Sequence, residues 1–257
     1  MSLDTRSFTP RPGAAPLYRQ VLAQASMESR LMLRNGEQLL LAVVIPVIVL
    51  IGGVQGAEHL GLKFSHRPVD VFAPGVLALA VMSTAFTSLA IATGFERRYG
   101  VIKRLGSSPL PRSGLLLGKV GALLLVEALQ VLMISVVALL MGWHPHASLV
   151  AVLLAMVAGT AAFASLGLFV AGVLRAEATL AAANLVYLLL MAGGAVVLPS
   201  TAYGGFGTVT LLLPSGALGE ALRHAFWSGR TEWTSLLVLL AWAAVGTALT
   251  ARTFKWE

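Results

Sequence analysis

The chain has 257 residues, of which 57% are hydrophobic and only 11% are charged, with a net charge of +7. A soluble domain carries roughly 25% charged residues, and so few charges cannot cover a globule of this size. The composition excludes a soluble domain and a disordered chain, and the lack of cysteine excludes a disulfide-stapled secreted domain. A mean hydropathy of +0.84 places most of the chain in a bilayer.

The N-terminal segment, residues 1–37, is polar and contains three prolines. The first long apolar run begins only after it, so no cleaved secretory leader is predicted. Within the segment, residues 14–36 place Leu17, Val21 and Ala25 four apart. This spacing predicts an amphipathic helix lying on the membrane surface, and a frayed polar lead-in is the alternative.

Residues 38–257 contain the apolar stretches and are predicted to form one all-helical polytopic membrane domain. A helix rises 1.5 Å per residue and needs about 20 residues to cross the hydrocarbon layer. The stretches predict six transmembrane helices, at about residues 38–56, 71–94, 117–141, 149–173, 178–198 and 234–252.

The fifth apolar stretch, residues 178–219, is too long for one helix. Because it carries Gly193, Pro199 and Pro214, we expect a helix to about Leu198 and then a broken, re-entrant or interfacial segment. Two full spans joined by a tight turn would give seven helices instead.

The basic residues divide unequally between the two faces of a six-span arrangement. Fourteen lie on one face, whereas four lie on the other, namely Lys63, Arg67, Arg223 and Arg230. Positive residues are retained in the cytoplasm, so both termini and the loop between Glu96 and Lys119 are predicted to be cytoplasmic. The charges do not form one basic face on a soluble fold, so no nucleic-acid partner is predicted.

The cytoplasmic loop is short and highly charged. Glu96 and Gly100 are four apart, and Pro109 closes the stretch, which predicts a brief amphipathic helix from Glu96 to Leu105. Such a helix is suited to docking on a partner. The alternative is that its basic residues only anchor the chain at the membrane surface.

Polar side chains within the predicted spans are the candidates for a transport path, because unpartnered polar groups are costly in lipid. Glu127 is the one ionisable residue well inside a span, and Gln130 shares its face. A substrate-cation or proton site, a structural hydrogen bond and a shallow snorkelling position all remain open for Glu127.

Two further polar faces lie on predicted spans. They are Ser83, Thr84, Thr87 and Ser88 on the second span, and Asn184, Tyr187 and Met191 on the fifth. Helix–helix contact is the alternative for both.

Enzymatic motifs do not emerge from the sequence. The string from Gly114 to Val120 is one residue too short for a phosphate-binding loop and lacks its hydroxyl. It indicates close helix packing and an anchoring lysine at Lys119 instead. His144 and His146 flank one proline without a third ligand nearby, so no metal site is predicted.

Two ordered motifs resemble those of ABC-2 type exporter permeases. The first is Glu96, Gly100, Leu105 and Pro109, followed by Gly118-Lys119; the second runs from Leu211 through Pro214 to Arg223. Together with the six spans they are most similar to the short daunorubicin-exporter-type permeases. The resemblance implies the ABC-2, type V exporter-like architecture, with an N-terminal interfacial helix, a cytoplasmic coupling helix and an extracellular re-entrant hairpin before the last helix.

The resemblance also implies roles for individual residues. The residues implied to contact a partner ATPase are Glu96, Arg97, Arg98, Gly100 and Leu105. A lesser contact is implied at Arg175 and Glu177. The re-entrant hairpin carries Pro214, Glu220 and Arg223. The path in the family runs near helices one, two and five at the dimer interface, which makes Ser83, Thr84, Thr87, Glu127, Asn184 and Tyr187 the candidates.

The implied function is the permease subunit of an ABC exporter in the bacterial cytoplasmic membrane, a role that includes antibiotic resistance. It would bind two copies of a cytoplasmic P-loop ATPase, which hold ATP and magnesium, and a second permease half, as a homodimer or with a similar half. The chain itself would carry no catalytic residue and no cofactor. Hydrophobic or amphiphilic substrates are expected: a drug, antibiotic, lipid or polyketide. The alternatives are an ATP-independent channel or secondary carrier, and a non-transporting membrane scaffold or sensor subunit.

Overall fold

The computed structural model describes residues 15–34, 36–62, 64–106 and 111–253, and every regular element within them is helical. A π-helical segment, Ser83–Ser88, joins α3 to α4, and a 3-10 helix, Ser200–Phe206, precedes α9. The α-helices are α1 (Leu17–Arg34), α2 (Gly36–His59), α3 (Pro68–Met82), α4 (Leu89–Arg98), α5 (Val101–Gly106), α6 (Arg112–Leu140), α7 (Leu149–Val173), α8 (Ala176–Gly193), α9 (Gly207–Leu212), α10 (Pro214–Trp227) and α11 (Trp233–Thr253).

Five helices in this part of the chain are long and apolar enough to cross a membrane: Pro68–Arg98, Ser113–Leu140, Leu149–Val173, Ala176–Gly193 and Trp233–Thr253. The helix Val43–His59 is apolar but shorter. Helices satisfy their own backbone hydrogen bonds, as lipid requires. The chain is therefore an all-helical, multi-pass membrane protein. The arrangement of six spans predicted from the sequence stays a prediction.

The continuous helix formed by α3, the π segment and α4 is the most buried of the five apolar helices. Around it, α3 packs against α2, α6 and α10, while α4 packs mainly against α7 and α8. The helix α1 lies along α6, and α11 lies along α7. Most side chains of α8 and α11 are left on the outside.

The predicted fifth span ends earlier than Leu198, because α8 stops at Gly193. Residues 194–199 are irregular, and Ala195 has a positive φ of 51°. Leu198 precedes a proline, which disfavours helical backbone at that position. The chain then forms the 3-10 helix, α9 and α10, with Pro214 at the first turn of α10, where its missing N–H costs nothing.

The predicted single helix from Glu96 to Leu105 is wrong in its bounds. Glu96, Arg97 and Arg98 form the last turn of α4, and α5 begins only at Val101. Gly100 has a φ of +69°, a left-handed conformation that glycine adopts at helix ends. The chain therefore turns between two helices at this point. The side chain of Leu105 and the whole of Pro109 lie outside the described residues.

Candidate functional sites

A buried ion cluster lies where the last turn of α4 faces α1 and α6. The Lys119 ammonium is 2.8 Å from the Glu28 carboxylate and 2.7 Å from that of Glu96. Lys119 is only 5% exposed, and Gln24 donates a 2.9 Å hydrogen bond to Glu28. One cation thus bridges two carboxylates from two other helices. Such charge-assisted hydrogen bonds offset the cost of burying the ammonium group and most of the two carboxylates.

The sequence motif Gly118-Lys119 explains how α6 comes this close to α1. A Cβ atom on Gly118 would lie 2.8 Å from the Gln24 Cβ and would force the helices apart. The glycine therefore brings the neighbouring Lys119 within reach of Glu28. This agrees with the close helix packing expected for this string, whereas the expected anchoring lysine is buried between two carboxylates.

The next two residues of α4 bind two further helices. The Arg97 guanidinium donates to the carbonyl oxygens of Ala171, at 2.8 Å, and Gly172 near the end of α7. A cation at a helix C-terminus is favoured by the unpaired carbonyl groups there. Arg98 forms an ion pair with Glu177 in the first turn of α8, and both side chains are at least half exposed. Three consecutive residues thus connect α4 directly to α6, α7 and α8, and through Lys119 to α1.

The residues that follow Arg98 in the predicted coupling stretch face outward. Tyr99 is 64% exposed, and Val101, Lys103 and Arg104 are exposed as well. The Tyr99 ring stacks on Phe95 at a centroid distance of 6.1 Å, which orients it at the α4–α5 turn. Arg175, just before α8, is also exposed. Within the predicted coupling stretch, Glu96 and Arg97 therefore make contacts inside the protein, while an outward face begins at Tyr99, which was not among the predicted contact residues.

The four hydroxyl residues of the second span all lie in the π segment, Ser83–Ser88. Thr84 is buried and donates a 2.9 Å hydrogen bond to Gln130 on α6, while Ser83 lies close to Tyr187 on α8. Asn184, in contrast, is exposed on α8. Periodicity predicts an ordinary helix here, so the π turn was missed. The signal available was the run of serine and threonine, whose hydroxyls compete for backbone partners.

Glu127 is almost completely buried, at 1% exposure, so a snorkelling position is excluded. Its Oε2 accepts a 2.6 Å hydrogen bond from Thr160 on α7. Thr160 also lines a largely apolar cavity of about 510 Å³ between α6, α7 and α11. The carboxyl group therefore lies directly behind one wall of a space large enough for a drug-sized molecule.

Arg223 has a structural environment that the sequence did not predict. It is fully buried and donates hydrogen bonds to the carbonyl oxygens of Ala195, at 3.4 Å, and Val196, at 2.8 Å. Glu220 lies 3.4 Å away on the same helix. Burial lowers the pKa of the Arg223 guanidinium to about 10, opposed by Glu220, so it stays charged at neutral pH. Ser215 completes the arrangement by donating to the Gly194 carbonyl oxygen at 2.9 Å.

A protein-family model, described as ABC-2 type transporter, matches residues 19–227. The chain belongs to the ABC-2 type transporter family. A search of curated proteins finds no match. The matched range contains all but the first two residues of α1, the ion cluster, the α4–α5 turn and Arg223, so the motifs that suggested the resemblance lie within it.

Membership of the ABC-2 family supports a permease, the membrane-spanning subunit of an ABC transporter, and implies an ATPase partner in general terms.

Proposed function

We propose that this ABC-2 protein is the permease subunit of an exporter whose ATPase is a separate P-loop subunit docking at the α4–α5 turn. The observation that carries the proposal is the division of the last turn of α4. Glu96 and Arg97 bind inside the protein, while Tyr99 and Lys103 face outward. A partner that pushes on the outward face moves residues that are tied to four other helices.

The proposed assembly is a homodimer of six-span permease halves with two ATPase copies, in the bacterial cytoplasmic membrane with both termini cytoplasmic. Closure of the ATPases on ATP and magnesium would shift the permease pair from inward-facing to outward-facing. The work is conformational, and no covalent chemistry is assigned to this chain.

The proposed substrates are hydrophobic or amphiphilic molecules of the daunorubicin and multidrug type, which would make the protein an antibiotic-resistance determinant. The predominantly apolar wall of the 510 Å³ cavity supports this class. The path candidates are Ser83, Thr84 and Thr87 on the π segment, Asn184 and Tyr187 on α8, and Glu127 behind the cavity wall. The contact between Ser83 and Tyr187 supports a shared role of the π segment and α8.

The test asks whether a neighbouring reading frame encodes a P-loop ATPase and whether that ATPase co-purifies with the affinity-tagged permease. Tyr99→Ala should reduce the amount of ATPase retained by about tenfold, because large exposed aromatic side chains contribute most to such interfaces. Tyr18→Ala on α1 is the matched control, since Tyr18 is 59% exposed, and it should retain the ATPase fully. A wild-type permease that transports an amphiphilic dye without any ATPase would show a channel or secondary carrier instead.

A further inference from the structure

The ion cluster bridges a gap between two groups of helices. On one side α1 packs along α6, and on the other side α4 packs mainly against α7 and α8. A cavity of about 180 Å³ lies between them, lined by Leu31 and Met32 of α1, Ser88 and Ala92 of the central helix and Leu123 of α6. Glu28, Lys119 and Glu96 lie at the same cavity and form the polar connection across it.

The two carboxylates that Lys119 contacts lie on helices with different neighbours. Glu96 belongs to the helix whose next two residues are tied to α7 and α8 through Arg97 and Arg98. Glu28 belongs to α1, which already packs on α6. Lys119 is the group that holds both carboxylates, so removing its charge releases α4 from α1 and from the first turns of α6, while α3 and the π segment still pack against α6 farther along. Two largely buried carboxylates would then face each other without a cation.

We propose that Lys119 is a positioning residue for energy coupling: it makes α1 and α6 follow the end of α4 when the ATPase moves the α4–α5 turn. This inference rests on the proposed function for the source of the movement. Without the ion pairs, displacement of the end of α4 would carry α7 and α8 but leave α1 and the first turns of α6 behind, because the cavity separates these turns from α4.

The experiment measures the distance between the two helix groups in the assembled complex. The chain has no cysteine, so Ser26→Cys on α1 and Ala178→Cys on α8 introduce two unique spin-label sites, both exposed. Labelled chain is mixed with excess unlabelled chain so that each dimer holds one labelled copy. Distance distributions are recorded by pulsed electron paramagnetic resonance without nucleotide and after trapping with ATP and vanadate.

With Lys119 present, we expect one narrow distribution that keeps its mean in both states. Lys119→Met should broaden the distribution about twofold, and trapping should shift its mean, because the groups no longer move together. Lys119→Arg should restore the wild-type result, since it keeps the cation. Arg30→Gln, an exposed charge on α1, is the control and should behave as wild type.

An unchanged distribution in Lys119→Met in both states would overturn the proposal. If that variant fails to fold, Glu28→Gln and Glu96→Gln each weaken one half of the cluster, and the same broadening is expected from either; its absence in both would overturn the proposal equally. Failure of the proposed function is recognised separately. In that case no ATPase co-purifies and vanadate has no effect, while the nucleotide-free widths still decide whether Lys119 holds the helix groups together.

Discussion

At the scale of single residues, Arg223 shows how a buried cation can be structural rather than functional. Its guanidinium supplies donors to two carbonyl groups that no regular helix satisfies, because residues 194–199 are unwound. A buried carbonyl without a donor costs roughly 1–3 kcal/mol. Charge counting treats Arg223 as one of four basic residues on the far side of the membrane, whereas its side chain is inside the protein.

Arg223→Met is therefore expected to lower the free energy of unfolding by about 3 kcal/mol, because the carbonyl groups of Ala195 and Val196 lose their buried donor. The measurement is the midpoint of thermal unfolding in detergent, followed by loss of the monodisperse peak in size-exclusion chromatography. Arg230→Met, at an exposed position on the next turn of the chain, should change the stability by less than about 0.5 kcal/mol. Equal midpoints for both variants would show that Arg223 does not support the unwound segment.

Glu127 is a second buried ionisable residue. Its hydrogen bond from Thr160 satisfies one oxygen, and the residue is buried beyond the reach of water. This hydrogen bond connects α6 to α7. The cavity beyond Thr160 is the reason that Glu127 is also proposed to act in the transport path. Full transport by Glu127→Gln would remove its charge from the mechanism.

At the scale of elements, the unwound segment 194–199 is held in place by close backbone contact. It passes over Gly75 of α3, where a Cβ atom would collide with the Val197 carbonyl oxygen and lie 2.9 Å from that of Val196. It also passes over Gly219 of α10, where a Cβ atom would lie 2.8 Å from the Val196 oxygen. Only glycine at both positions allows two helices to clamp an irregular segment inside the protein.

Gly75→Ala is expected to destabilise the protein by about 3 kcal/mol, because the obstructing atoms are backbone and cannot rotate away. The check is the yield of folded protein together with its unfolding midpoint in detergent. Gly52→Ala in α2 is the matched control: a Cβ atom there meets nothing within 4 Å, and alanine favours the helix by up to about 1 kcal/mol. A Gly75→Ala protein as stable as the control would contradict the clamp.

The π segment is a second element whose environment depends on a glycine. Its carbonyl groups at Ala85 and Phe86 lie against Gly167 of α7, where a Cβ atom would be 2.8 Å from the Phe86 oxygen. The segment places Thr84 toward α6 and the adjacent Ser83 toward α8, since consecutive helical residues are about 100° apart. A widened turn thus connects neighbouring helices on both sides.

At the scale of the whole molecule, the distribution of basic residues predicts the orientation of the chain. Arg97, Arg98 and Lys119 take part in internal contacts, yet they lie at the end of the apolar helices where cations are retained. Their structural roles are therefore compatible with a cytoplasmic location.

The orientation can be checked with single cysteines, because the chain contains none of its own. Ser26→Cys on α1 should be protected from a membrane-impermeant maleimide in intact cells and react after permeabilisation. Ser228→Cys, exposed beyond α10, should react in intact cells. The fourteen-to-four division of basic residues is the reason for this expectation. Labelling of Ser26→Cys in intact cells would reverse the predicted topology.

The sequence by itself determined the class of the molecule, because apolar composition and helix length are local properties that lipid imposes on every span. It also predicted a break before the last span, since Pro199 and Pro214 act on their own backbone, although α8 ends at Gly193 rather than near Leu198. The turn at Gly100, in contrast, was predicted as part of one continuous helix. The family assignment followed from short motifs of this kind.

Only the tertiary structure decided which way side chains face and what they meet. Glu96 lies one residue from Arg97 and three from Tyr99, yet the first two bind inside and the third faces outward. Glu28 and Lys119 are 91 positions apart and meet because Gly118 lets α1 approach α6. Partners so distant in the chain depend on how whole helices pack, and the local pattern around each residue does not contain that information.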